Sequence, residues 1–125
     1  MGSGDLKGTC ILVAEDEFLV AIVVEETLQS LGCTVLGPFS ELAEATAAAA
    51  REPIDAAVLD INLGGEMVYP LAEHLHRQGI PFVFTTGYAV ADLPERYRGF
   101  EHLSKPVDAT TLMRAVHRMR TRPAR

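Results

Sequence analysis

Glu15-Asp16-Glu17, Asp60, Thr85-Thr86 and Ser104-Lys105 are the residues whose types could do chemistry together, and each group stands just past a short apolar run. Brought to one rim, Glu15, Asp16 and Asp60 would repel one another in a partly desolvated crevice, which raises carboxyl pKa values or demands a cation. A hard divalent ion with oxygen ligands, most simply Mg²⁺ keeping several waters, meets that demand. Taken singly, an acid at a strand-to-helix turn does no more than cap a helix or favour the positive end of its dipole. Capping does not predict a lone lysine facing the acids. The chemistry this set implies is cation binding by three carboxylates, with a hydroxyl and an amine on the same rim.

The elements that must position these residues follow from hydrophobic patterning. Cys10–Ala14 is an unalternating apolar run, the mark of a strand covered on both faces. Phe18–Leu31 carries Val20, Val24, Leu28 and Leu31 at helical spacing, with Gly32 at its end. Thr34–Gly37 reads as a second strand ended by Pro38, and Ser40 as the N-cap of a helix reaching Arg51. Ala56–Leu59 is a third strand, and Gly64-Gly65 breaks the chain before a helix from about Met67 to Arg77. Phe82–Thr85 is a fourth. The stretch Ala89–Arg98 contains Pro94, so a helix there is short, bent or begins at the proline. His102–Ser104 is a brief last strand, and Asp108 caps a final helix with Leu112, Ala115, Val116 and Met119 inward. Strands alternating with helices predict a parallel α/β sheet with right-handed crossovers, whose polar chemistry gathers at the carboxyl ends of the strands.

Composition narrows the setting. At 125 residues the chain suits one domain, and no apolar run approaches the roughly 18 residues of a membrane span. A net charge of −6 argues against non-specific nucleic-acid binding as the main task. Cys10 and Cys33 form no metal or redox motif and read as buried reduced thiols of a cytoplasmic protein. Residues 1–7 are expected to be a disordered tail or expression scar, 8–121 the domain, and 122–125 a second tail. His74 and His76, two apart on a helix, make a poor metal pair and read as surface residues. The arginines gathered from Arg114 onward read as a solvated face.

Ile11-Leu12-Val13-Ala14-Glu15-Asp16-Glu17, Val58-Leu59-Asp60-Ile61-Asn62-Leu63, a hydroxyl closing the fourth strand and Leu103-Ser104-Lys105-Pro106 together resemble the receiver domain of two-component response regulators over about residues 8–119. The resemblance implies a flavodoxin-like (βα)5 doubly wound sandwich with a five-stranded parallel sheet in the order 2-1-3-4-5. It makes Asp60 the phosphoacceptor and Asp16 the direct carboxylate ligand of Mg²⁺ (or Mn²⁺). Glu15 becomes its partner through metal-bound water, and the backbone carbonyl of Asn62 completes the set. The Asn62 side chain would face the phosphoryl group and tune its hydrolysis. Thr86 matches the switch hydroxyl and Lys105 the amine that meets the phosphoryl oxygens, and Lys105-Pro106 matches a cis peptide bond, which proline tolerates. Such a protein catalyses only its own phosphorylation and dephosphorylation. Its expected partners are a sensor histidine kinase or phosphotransfer protein and a downstream protein. The surface around the last strand and its flanking helices would serve partners or a homodimer.

The run Phe82-Val83-Phe84-Thr85-Thr86-Gly87-Tyr88 resembles the FAT GUY receiver subfamily, with Thr85 in place of alanine. That subfamily is often linked to HWE or HisKA2 kinases and alphaproteobacterial stress signalling. Thr85 alternates to the opposite side of the strand from Thr86. Most receivers carry an aromatic ring three residues before the lysine, a position held here by His102. Tyr88 and His102 are therefore both switch candidates, with a half-buried neutral imidazole expected at His102 and a mobile stretch around Pro94. The Asp5-Leu6-Lys7-Gly8 lead-in is similar to that of receivers fused behind hybrid kinases, so an excised domain and a free-standing regulator both fit. A phosphohydrolase with an aspartate nucleophile would show Asp-x-Asp after the first strand. A receiver-like module that never takes phosphate would not be expected to keep the whole set of Glu15, Asp16, Asp60, Thr86 and Lys105.

Overall fold

The computed structural model describes residues 6–121, so most of the two expected tails, 1–5 and 122–125, lies outside it. Five parallel strands form the sheet in the order β2-β1-β3-β6-β7: β1 Cys10–Ala14, β2 Thr34–Phe39, β3 Ala56–Asp60, β6 Phe82–Thr86 and β7 His102–Ser104. The helices are α1 Phe18–Ser30, α2 Leu42–Arg51, α3 Tyr69–Arg77 and α4 Ala109–Thr121. This is the expected flavodoxin-like sandwich and strand order.

The unalternating apolar strands are explained by the two cores. Successive side chains leave opposite faces of a strand. Ile11, Val13, Val58 and Val83 enter one core with Val24 and Leu28 of α1 and Leu112, Ala115, Val116 and Met119 of α4. Leu12, Ala14, Leu59 and Phe84 enter the other with α2, α3 and Tyr97. Leu6 is also fully buried in the first core, so the packed domain starts before residue 8 and the expected tail of 1–7 is too long.

Three local expectations change. First, β2 does not stop at Pro38 but runs to Phe39 through a cis Gly37-Pro38 bond, with a bulge opposite Leu12–Ala14. It is an edge strand, where the missing proline N–H removes no ladder bond. Gly37 has φ +107, and an added Cβ would lie 2.7 Å from the Val13 carbonyl oxygen. Second, Gly64-Gly65 is not a simple break. Both have positive φ and turn an antiparallel hairpin, β4 Asn62–Leu63 with β5 Glu66–Met67, so α3 begins only at Tyr69 with Pro70 in its first turn. Third, the (βα)5 plan has no α-helix between β6 and β7. Two 3₁₀ turns, Val90–Asp92 and Glu95–Tyr97, stand there instead. Pro94 drives Leu93 into an extended conformation (ψ 155) and interrupts any longer helix.

Smaller shifts follow the same logic. α2 is capped at Glu41 rather than Ser40, and the Glu41 side chain makes no cap bond. α4 is capped as expected, the Thr110 and Thr111 N–H groups each donating to Asp108 at 3.3 Å. Cys33 is a buried free thiol, whereas Cys10 is free but only half-buried. No helix among the described residues is long and apolar enough to cross a membrane.

Candidate functional site

The carboxyl ends of β1, β3, β6 and β7 bring the chemical residues to one crevice. Asp16, Glu17, Asp60, Asn62, Gly64, Gly65, Thr86, Gly87, Tyr88 and Lys105 line it. Asp60, the last residue of β3, is buried, and Glu15 beneath the rim is buried as well. One carboxylate oxygen from each of Glu15, Asp16 and Asp60 can be chosen so that all three lie within 4.8 Å of one another.

Lys105 organises the acids. Its Nζ donates to Asp60 Oδ2 at 2.9 Å and to Glu15 Oε2 at 3.1 Å, and it also meets Glu17 Oε1. Lys105-Pro106 is cis, as the family resemblance implies. Glu15 is held from other sides by the Glu17 N–H at 3.1 Å and the Thr85 hydroxyl at 3.4 Å. Thr85 therefore braces Glu15 from below while Thr86 opens to the crevice. The Thr86 Oγ1 accepts the Tyr88 N–H at 2.9 Å.

The β4–β5 hairpin closes another side. Asn62 N–H donates to Asp60 Oδ1 at 3.1 Å, and Gly64 N–H donates to Asp16 Oδ2 at 2.8 Å. The Asn62 side chain spans the mouth, accepting from Gly65 N–H at 2.7 Å and donating to the Tyr88 phenol oxygen at 3.0 Å.

Electrostatics agree with an excess of buried negative charge. Burial first of all, with the neighbouring Glu15 adding to it, outweighs the opposing hydrogen bond and charge of Lys105 and leaves the Asp60 carboxyl pushed up to about 8. Burial alone would lower the Lys105 ammonium, but its bonds to Glu17, Asp60 and Glu15 more than offset that and hold it above its ordinary value. Three converging carboxylates against one ammonium form an oxygen-only donor set, which fits a hard divalent cation.

Of the residues the sequence singles out, Glu15, Asp16, Asp60, Asn62, Thr86, Tyr88 and Lys105 meet here. His102 does not line the crevice. Its ring packs on Phe84 at 5.3 Å between centroids, and its Nε2 is buried with no hydrogen-bond partner among the described residues. Burial lowers its pKa, consistent with a neutral imidazole. His102 belongs instead to an aromatic group in which Tyr69 and Tyr97 stack at 4.1 Å and the Tyr97 hydroxyl donates to Glu73 at 2.5 Å. Sequence reasoning assigned no task to Glu17, Thr85 or the Gly64 N–H. The run of three acids and the two-residue Gly-Gly turn were the available signals.

The response regulator receiver domain model matches residues 11–117. The fold superposes on the solution structure of SdrG from Sphingomonas melonis Fr1 with a TM-score of 0.78 and 38% identity, covering 93% of this chain and 96% of that one. The Erythrobacter litoralis PhyR receiver domain aligns with a TM-score of 0.81 and 25% identity over 95% and 97% of the two chains. PhyR from Brucella abortus aligns with a TM-score of 0.78 and 26% identity; 94% of this chain is covered but only 51% of that one. No curated protein sequence matches the chain.

Proposed function

The chain belongs to the response regulator receiver domain family, and we propose that it accepts a phosphoryl group on Asp60 from a phosphohistidine in a two-component relay. The observation that carries this reading is the Lys105 ammonium seated between Asp60 at 2.9 Å and Glu15 at 3.1 Å. In that position it neutralises charge on an acyl phosphate formed at Asp60.

Asp60 acts as the nucleophile. An oxygen of its carboxylate bonds to phosphorus as the phosphorus–nitrogen bond to the donor imidazole breaks, and the electron pair stays on that nitrogen. Asn62 N–H steadies one Asp60 oxygen while Lys105 steadies the other. Glu15, Asp16, Asp60 and the Asn62 carbonyl would hold Mg²⁺ or Mn²⁺, which when bound supplies further neutralisation of phosphoryl charge. The domain acts on no separate substrate pool and is no ordinary enzyme.

Output begins at Thr86. To meet a phosphoryl oxygen its hydroxyl turns from the Tyr88 N–H, which disturbs the Tyr88–Asn62 bond and the 3₁₀ stretch beyond. Tyr88 is the switch aromatic in this reading and His102 a buried support. Phe18 and Leu19, each 75% exposed at the start of α1 beside the acids, suit a protein donor docking at the mouth. That donor is a sensor kinase, of the HWE or HisKA2 type, or a phosphotransfer protein in a bacterial cytoplasm. The face around β7 is left for a downstream protein or a second copy.

Incubation with Mg²⁺ and acetyl phosphate tests the reading. Intact mass should rise by about 80 Da, and not in Asp60→Asn. An equal gain in both proteins, or none in either, overturns it.

A further inference from the structure

Lys105 has three N–H donors, and three carboxylates occupy them: Glu15, Glu17 and Asp60. A phosphoryl oxygen that accepts from this amine must displace one of them. Glu15 is poorly placed to leave, since it is buried and also held by Thr85 and by the Glu17 N–H. Asp60 is the residue that carries the incoming group. Glu17 differs from both. Its side chain is 59% exposed, and Lys105 is its only side-chain partner among the described residues.

The position of Glu17 makes that contact informative. Glu17 is the N-cap residue of α1, where an acidic side chain ordinarily bonds the first free N–H groups and gains from the helix dipole. Here it makes no side-chain cap bond and reaches across the crevice to the lysine instead.

We propose that Glu17 is a positioning residue acting through Lys105: it parks the amine at the mouth of the site and competes with an arriving phosphoryl group for it. The inference rests on the phosphoacceptor reading above. Phosphorylation then exchanges one ion pair for another. Lys105 releases Glu17 to solvent and takes a phosphoryl oxygen, so the charge at residue 17 sets how tightly the phosphorylated state is held. Because Glu17 is exposed and caps nothing, its replacement leaves the fold intact.

The test measures beryllofluoride binding in saturating Mg²⁺, followed by backbone amide NMR shifts, with Mg²⁺ affinity measured separately. Glu17→Gln should bind beryllofluoride about threefold to tenfold more tightly than wild type, the scale of losing one part-exposed competing ion pair and its repulsion. Its Mg²⁺ affinity should not rise with it, because removing an acid relieves repulsion of an anion but takes attraction away from a cation. Glu17→Asp, which keeps the charge, should return toward wild type. Unchanged or weaker beryllofluoride binding by Glu17→Gln overturns the proposal, as does an Mg²⁺ affinity that moves in parallel or an aspartate variant that behaves like glutamine. Wild-type protein that binds no beryllofluoride at all removes the phosphoacceptor reading itself, and this inference with it.

Discussion

Asn62 and Tyr88 are joined across the mouth of the crevice, the asparagine Nδ2 donating to the phenol oxygen at 3.0 Å. The bond ties the β4–β5 hairpin to the loop after β6, and the same tyrosine gives its N–H to Thr86. An exposed hydrogen bond of this kind falls at the low end of the usual range, about 0.5 kcal/mol. Tyr88→Phe should therefore unfold at nearly the wild-type temperature while amide exchange over residues 87–93 speeds up. It should still form the acetyl-phosphate adduct. Unchanged exchange would show that the Asn62 bond does not hold the loop.

Asp60 makes stability depend on pH in a direction opposite to that of most carboxylates. Its pKa rises from 3.8 to about 8 on folding. A group raised in the folded state contributes stability that is intact below its unfolded value and is lost as pH climbs through the folded one. Metal-free wild type should lose melting temperature relative to Asp60→Asn between pH 4 and pH 8, and Mg²⁺ should restore it. Parallel pH profiles for the two proteins would contradict the burial of this charge.

His102 carries the reverse dependence. Burial lowers its pKa below 6.5, so the neutral imidazole's contribution is intact above that value and drains away as pH falls toward the depressed folded value. Its Nε2 is buried against Phe84 and has no hydrogen-bond partner among the described residues. His102→Phe should stabilise the domain by about 1 kcal/mol at neutral pH through relief of that orphaned atom, with a larger gain in mild acid. Chemical denaturation across that range reads it directly, and a destabilised variant would mean that the ring's backbone hydrogen bond at Phe100 outweighs the orphaned Nε2.

The stretch between β6 and β7 is braced. Tyr97 is 3% exposed and stacks on Tyr69, Leu93 is buried, and the Arg98 guanidinium donates to the Leu93 and Ala91 carbonyls at 2.8 and 3.0 Å. Tyr97→Ala should cost about 3–5 kcal/mol, the range for removing a buried ring. Arg98→Ala should leave global stability nearly unchanged and raise exchange over residues 90–98. Fast exchange there in the wild type would favour the mobile stretch that Pro94 suggests in the sequence.

What could be read from the chain without its structure divides along physical lines. Strands buried on both faces announce themselves, because Ile11-Leu12-Val13 and Ala57-Val58-Leu59 have no polar alternation to hide them. The residues just past those strands then fall at one rim by topology alone, and that is how Asp60, Asp16 and Lys105 could be named together. Pro38 misled because the penalty of a missing N–H depends on whether the strand is an edge, a fact of tertiary pairing rather than of local sequence. The Gly64-Gly65 hairpin was missed because its strands are only two residues each, too short for a period. Leu6 looked like tail because one apolar residue has no pattern at all. Glu17 stands in the acidic run but gains no task of its own from sequence, because an acid at a helix start has an ordinary explanation; only the side chain's direction shows that it is not used.

Gly64 donates its N–H to Asp16, so the carboxylate offered to a cation is already gripped by the tip of an exposed glycine hairpin. Whatever leans on that tip from outside also leans on the carboxylate proposed to hold the cation. Thermodynamic linkage makes the influence mutual: a partner that changes cation affinity by some factor is itself bound more or less tightly, by the same factor, once the cation is in place.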